Sequence, residues 1–238
     1  ISKKENEKAL TDLTLAAKIT NYGDGKVLLN KGVVEYNLDR CTDALQTFAQ
    51  AENLDSKNPK IYELKAKCLL KQEEFEKAIL ELSSAIKLKP ENAEFYYLRG
   101  YAKQVLENYS GALIDYNVSI DLSPTNLKCL ANKAFINLEL ANTEQAIADY
   151  SNLINQEPKN KQHYFYRSSA WIKIENYENA INDLDTAINL DEKFAEAYFN
   201  LATVYSKTKK DKQTCENLKM AQSLGYKKAA EYLVMLCK

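Results

Sequence analysis

The sequence predicts an all-α fold made by stacking one helical hairpin several times over, and three observations carry that reading. Proline recurs at 90, 124 and 158, each time after a similar phrase: SSAIKLKPEN, NVSIDLSPTN and SNLINQEPKN. Only six glycines and four prolines occur in 238 residues, too few for the turns of a β-sandwich or the phosphate loops of a doubly wound α/β sheet. The hydrophobic fraction, 45%, is that of a folded chain rather than a disordered one.

The phrases around the prolines repeat every 34 residues, and DTAINLDEKF and AQAENLDSKN continue them in phase. Set out at that period, the chain divides without gaps into units beginning at Gly25, Pro59, Ala93, Leu127, Lys161 and Ala195. The first helix of each unit is marked by position 4 (Leu28, Tyr62, Tyr96, Leu130, Tyr164, Tyr198) and position 8 (Gly32, Ala66, Gly100, Ala134, Ser168, Ala202). A large residue followed four later by a small one shares a helix face, and the small one admits a neighbouring helix. Polar phrases such as KQEE, LENYS and KIENY mark the turn. The second helix carries small residues at position 20 (Ala44, Ala78, Ala112, Ala146, Ala180, Thr214). Position 27 is also mostly small (Ala51, Ala85, Ser119, Leu153, Ala187, Ala221). Bulk lies between them at position 24 (Phe48, Leu82, Tyr116, Tyr150, Leu184, Leu218). Proline near position 32 stops the second helix, because it cannot continue the hydrogen-bond ladder.

Those columns resemble the tetratricopeptide repeat, a helix-turn-helix unit of about 34 residues. The resemblance covers residues 25 to 228 and departs from the pattern only locally, with Thr214 in place of alanine and Tyr226 in place of proline in the last unit. It implies a right-handed superhelical solenoid of stacked units, with the first helices lining a concave groove. Residues 1–24 read as an N-terminal capping helix or partial repeat, with Leu10, Leu13, Ala16 and Ala17 on one face. Residues 229–238 read as a C-terminal capping helix that covers the end of the stack with Ala229, Tyr232, Leu233 and Leu236.

Several function classes are disfavoured by what the chain lacks. Lysine and arginine number 32 against 33 for aspartate and glutamate, so no net field gathers nucleic acid. No apolar run reaches the roughly 18 residues of a membrane span, and no membrane insertion is expected. The single histidine, His163, stands without the further ligands a metal site needs. No P-loop, nucleophile elbow or G-x-G-x-x-G occurs. We therefore expect no catalytic activity, no cofactor and no metal. Asn108 and Asn117 match the glycosylation acceptor pattern and are read as accidental.

Five cysteines without a C-x-x-C pair exclude a disulfide scaffold or zinc knuckle as the basis of the fold. Cys41, Cys68 and Cys129 are read as small buried hydrophobes. Cys215 and Cys237 flank the turn SLGYKK at similar distances, so two antiparallel helices bring them near each other. The segment they enclose is similar to the cysteine-flanked ends of bacterial repeat proteins of the cell envelope. A disulfide and two reduced thiols are both compatible with that placement. The chain opens on Ile1 without an initiator methionine, consistent with a removed signal peptide or a longer upstream region, and the compartment is either cytoplasmic or the periplasm and cell envelope.

The resemblance, with the 3.6-residue period, places positions 2, 5, 6, 9, 12 and 13 of each first helix on the groove. There the sequence offers Tyr97, Tyr101, Phe135, Phe165, Tyr166 and Phe199, interleaved with Asn132 and Asn200. Asparagine amides hydrogen-bond a peptide main chain in both directions, and aromatic walls accept side chains at low entropic cost. The expected function is a protein-interaction adaptor that holds an extended peptide or partner protein in the groove. The alternative is a structural or self-assembly scaffold that uses the convex face or terminal helices. Tighter stacking that covers the position 5 rings is the competing use of those side chains. The carboxylate clamp of chaperone-binding members needs lysine, asparagine and arginine at set columns of three successive units. Tyr97, Tyr101, Gln162 and Tyr166 occupy those columns around Lys128 and Asn132, so clamp binding of a chaperone tail is not expected.

Overall fold

The computed structural model describes residues 3–237; the outermost residues of the two expected caps, 1, 2 and 238, lie outside the described residues. Among the described residues the chain is entirely helical in its regular structure, an all-α helical repeat solenoid. It forms two compact bodies, Ile1–Asn126 and Leu127–Lys238. The first contains α1 (Lys3–Ile19), α2 (Gly25–Asn37), α3 (Cys41–Leu54), α4 (Pro59–Lys71), α5 (Phe75–Leu88), α6 (Ala93–Val105) and α7 (Tyr109–Leu122). The second contains α8 (Leu127–Glu139), α9 (Thr143–Gln156), α10 (Lys161–Lys173), α11 (Tyr177–Leu190), α12 (Ala195–Lys207), α13 (Asp211–Ser223) and α14 (Lys227–Leu236). In each body every helix packs on its neighbours in the chain.

Size at fixed columns builds these hairpins. Ala44, Ala78, Ala112, Ala146 and Ala180 are wholly buried, as are Ala51, Ala85, Ser119, Leu153, Ala187 and Ala221. The large residues between them, Phe48, Leu82, Tyr116, Tyr150, Leu184 and Leu218, are buried too. Phe48 and Tyr116 press into the glycine of the facing helix. A Cβ added at Gly100 would lie 2.7 Å from Cε1 of Tyr116, and one at Gly32 would overlap the Phe48 ring. Close packing of this kind is why one methyl group is felt. In α1, Ala17 is wholly buried, in phase with position 27. In α14, Ala229 is buried and Leu233 packs on the adjoining core, while Tyr232 and Leu236 stay exposed.

Helix ends follow one scheme. Asn58, Asn92 and Asn160 each accept a hydrogen bond from the backbone N–H two residues on, satisfying a donor the helix leaves open. At the turn inside every hairpin one residue takes the left-handed conformation: Asp39, Glu73, Glu107, Ala141, Glu175 and Lys209, all with φ between 57° and 62°. Its N–H donates three residues back, and the next N–H donates five residues back, as in Glu107 to Gln104 and Asn108 to Lys103. This Schellman arrangement usually recruits glycine, and here none of the six is glycine.

Ion pairs link the two helices of a hairpin. Arg99 donates to both carboxylate oxygens of buried Asp115, at 2.9 and 2.7 Å, and to Ser83 Oγ at 3.1 Å. Arg167 repeats this with Asp183, at 2.8 and 2.7 Å, and Ser151 Oγ at 2.9 Å. Lys65 bridges Glu52 and Glu81, and Lys133 meets Asp149 at 3.3 Å. At the C-terminal end of the chain Cys215 and Cys237 are disulfide-bonded, with Cα atoms 5.7 Å apart, which ties the end of α14 to α13. The other three cysteines are buried and not disulfide-bonded.

Candidate functional site

The eight groove residues read from the sequence lie on first helices: Tyr97 and Tyr101 on α6, Asn132 and Phe135 on α8, Phe165 and Tyr166 on α10, Phe199 and Asn200 on α12. Tyr101 is exposed and the other seven are half-buried. The rings lose exposure to one another and to second-helix residues. In the first body Tyr97 lies 6.3 Å from the buried Tyr116 ring, and Tyr101 meets Phe75 edge-on at 6.5 Å.

The second body gathers most of the candidates. Tyr166 is the hub of one cluster: Phe135 meets it edge-on at 6.1 Å, Phe165 at 5.5 Å, and Tyr150 stacks on it at 5.7 Å. Such offset and edge contacts suit the charge distribution of aromatic rings and stiffen the wall they form. Phe165 also rests on Phe194 at 4.9 Å. Phe199 belongs to a separate group, covered by Tyr226 at 4.8 Å and Tyr232 at 5.0 Å. The C-terminal helix therefore shields one of the residues expected to face a ligand.

Between α8 and α10 a cavity of about 210 Å³ opens, with Tyr150 from α9 behind it. It is lined by Ala131, Asn132, Phe135, Tyr150, Gln162, His163 and Tyr166. Three of the eight candidates thus share one hollow. Ala131, Tyr150, Gln162 and His163 were not among them, and the signal for the first was its small size in a column of larger residues. Burial pushes the Tyr150 phenol well above its usual pKa, so this ring stays neutral. His163 is buried, and its Nε2 lies 2.8 Å from Glu157 Oε2. The hydrogen bond from His163, helped by one from Asn160, holds the Glu157 carboxyl below its usual range.

Position 5 is not always aromatic. Glu63 occupies it on α4, buried, with Lys60 at 2.8 Å and Lys67 at 2.7 Å. Burial alone would raise its pKa, and the hydrogen bonds and charges of the two lysines outweigh that and lower it. Two of the basic side chains on that part of α4 are thereby committed to a local carboxylate. Among the described residues there is no group of three or more His, Cys, Asp or Glu side chains placed to hold a metal ion. Among the same residues no helix is long and apolar enough to cross a membrane.

Comparison with known proteins agrees with the hairpin architecture. A family model described as TPR repeat matches residues 66–105 and 172–209, and one described as tetratricopeptide repeat matches residues 29–84. The residues so matched are tetratricopeptide repeats, and such repeats support a protein–protein interaction or scaffold role. No curated protein matches it in sequence. Among solved structures, YrrB, described as a TPR protein with an unusual peptide-binding site, superimposes with a TM-score of 0.72. It is 19% identical, and the match covers 78% of this chain and 95% of that one. A tetratricopeptide repeat protein from Parabacteroides merdae gives a TM-score of 0.65 at 21% identity, covering 99% of this chain and 94% of that one. Residues 41 to the end of MamA from Desulfovibrio magneticus RS-1 give 0.68 at 19% identity, covering 70% and 94%. At these identities the likeness is one of fold.

Proposed function

We propose that this protein is a non-catalytic adaptor that holds an extended peptide, or an extended segment of a partner protein, against the exposed faces of its first helices. The observation that carries the reading is the Phe135–Tyr166–Phe165 cluster with its adjoining cavity, an apolar wall with amides at its edge. A wall of stiff rings gives contact area at little cost in side-chain entropy. The peptide-binding description of YrrB supports the same use of this fold. In this reading six repeats begin at Gly25, Pro59, Ala93, Leu127, Lys161 and Ala195 and run to residue 228, flanked by capping segments 1–24 and 229–238.

The reading is tested by selecting short random peptides against the intact chain and measuring their affinity for variants. Phe135→Ala and Tyr166→Ala are each expected to weaken the selected peptides about tenfold, the usual cost of removing an aromatic anchor. Tyr101→Ala tests the first body in the same way. Peptides that bind every variant as tightly as the parent would falsify the first-helix reading. A scaffold role through the terminal helices is the second reading, favoured by Val234 and Met235 of α14, which are 79% and 67% exposed. Sedimentation at rising concentration separates the two: a growing mass supports the scaffold.

The Cys215–Cys237 bond favours an oxidising compartment, since such bonds persist there and are rare in the cytosol. Alkylation of the unfolded, unreduced protein as isolated from its source is expected to label three cysteines. Labelling of all five would instead indicate a reducing one.

A further inference from the structure

We propose that the cavity between α8 and α10 is a specificity pocket that accepts one bulky uncharged side chain, above all an aromatic one, from a bound polypeptide. The inference rests on the first-helix reading above and names what one part of that face selects. Its cause lies in one column of the repeat. Position 5 is Leu29, Glu63, Tyr97, Phe165 and Phe199 in five units and Ala131 in the remaining one. Where a ring stands in that column it covers a neighbour, as Tyr97 does Tyr116 and Phe165 does Phe194. Ala131 brings only a methyl group, and the space is open, with Tyr150 behind it and Phe135 and Tyr166 as its apolar walls.

Size and charge together select the occupant. An apolar cavity of about 150 Å³ is enough to hold benzene, so the 210 Å³ here admits one aromatic ring or a branched aliphatic side chain. No lysine, arginine, aspartate or glutamate lines it. The one titratable group besides the buried Tyr150 and the Tyr166 wall is His163, whose Nε2 is engaged by Glu157. A charged side chain would lose water without gaining a counter-ion, which is costly. Asn132 and Gln162 stand on the lining, where polar groups orient rather than drive binding.

The test uses the intact chain and side-chain analogues. Saturation-transfer NMR is expected to show contact with p-cresol and none with acetate or butylamine. Ala131→Phe, which restores the residue found at this column in two other units, is expected to weaken p-cresol about tenfold or more. Ala131→Leu, the residue of the first unit, is the parallel variant should phenylalanine disturb folding, with circular dichroism confirming that the helices persist. Equal p-cresol binding by the parent and a folded Ala131→Leu variant overturns the pocket, and so does equal binding of acetate or butylamine. Peptides selected against the parent should also lose affinity in Ala131→Leu. If they bind unchanged, the pocket inference falls while the first-helix reading stands. If p-cresol behaves as expected and no peptide is selected at all, the pocket chemistry stands and the peptide reading falls.

Discussion

The hairpins α6–α7 and α8–α9 carry the same large residue, tyrosine, at position 24, and they use it in opposite ways. In α6–α7, Tyr116 lies over Gly100, donates its hydroxyl to Gln104 Oε1 at 2.7 Å, and is flanked by Tyr97. In α8–α9 the residue corresponding to Gly100 is Ala134, which adds a methyl group at the position where the Tyr116 ring packs against Gly100. The residue corresponding to Gln104 is the apolar Leu138, and the one corresponding to Tyr97 is Ala131. Tyr150 accordingly turns to Tyr166 of the next first helix, and a cavity opens beside it. Three differences on one helix face, an added methyl group, a lost ring and a lost amide, thus separate a filled hairpin from a hairpin with a hole. The repeat fixes where bulk must go, and small substitutions around it decide what surface is left.

The largest expected effect lies in the ion pairs of these two hairpins. Asp115 is 1% exposed and is held by Arg99 and Lys103, whereas Asp149 is partly exposed and meets Lys133 at 3.3 Å and Asn137 at 3.0 Å. Removing one partner of a buried pair strands the other, so Asp115→Ala should cost about 3–5 kcal/mol. Asp149→Ala should cost about 1 kcal/mol, as for a partly solvated pair. Urea unfolding followed by circular dichroism gives the two losses, and hydrogen exchange assigns the first to α6 and α7. Equal losses would show that burial does not separate the two pairs.

The glycine at position 8 gives a smaller and sharper test. Gly100→Ala improves helix propensity but drives a methyl group to within 2.7 Å of the Tyr116 ring. Overpacking costs about 1–3 kcal/mol and outweighs a propensity gain of up to about 1 kcal/mol. The net change should therefore be destabilising, and it should vanish when Tyr116 is replaced by leucine, the residue that faces Ala66. Ala134→Gly should lose about 1 kcal/mol from propensity alone. A gain in stability from Gly100→Ala would mean that the ring yields easily, and that Gly100 does not explain the difference between the hairpins.

What the sequence made legible follows from what packing demands. Columns 4, 8, 20, 24 and 27 could be read because close packing sets residue size at fixed spacing. The pocket was not legible in the same way, since a hole is written as an absence: Ala131 is unremarkable until its column is compared. The pairing of positions 7 and 23 was also overlooked. Lys65 with Glu81, Arg99 with Asp115, Lys133 with Asp149 and Arg167 with Asp183 show opposite signs 16 residues apart, a separation that no local helix rule would pick out. Cys215 and Cys237 were placed near each other by antiparallel geometry, but spacing alone does not distinguish two thiols from a bond.

The turn inside each hairpin was visible only as a polar phrase, because the residue that marks a left-handed helix end, glycine, is missing from it. That omission supplies the smallest prediction and an internal control for the comparison. Glu107 of α6–α7 and Ala141 of α8–α9 take the same conformation, at φ of 57° and 58°. For an L-residue the left-handed region costs about 1–2 kcal/mol, partly offset by the greater chain entropy that glycine must lose on folding. Glu107→Gly and Ala141→Gly should therefore each stabilise the protein by about 0.5–1 kcal/mol, and by similar amounts, since the two Schellman hydrogen bonds are shared by both hairpins. Equal gains in urea midpoint would confine the difference between these hairpins to their packed faces. Unequal gains would mean that the turns contribute to it as well.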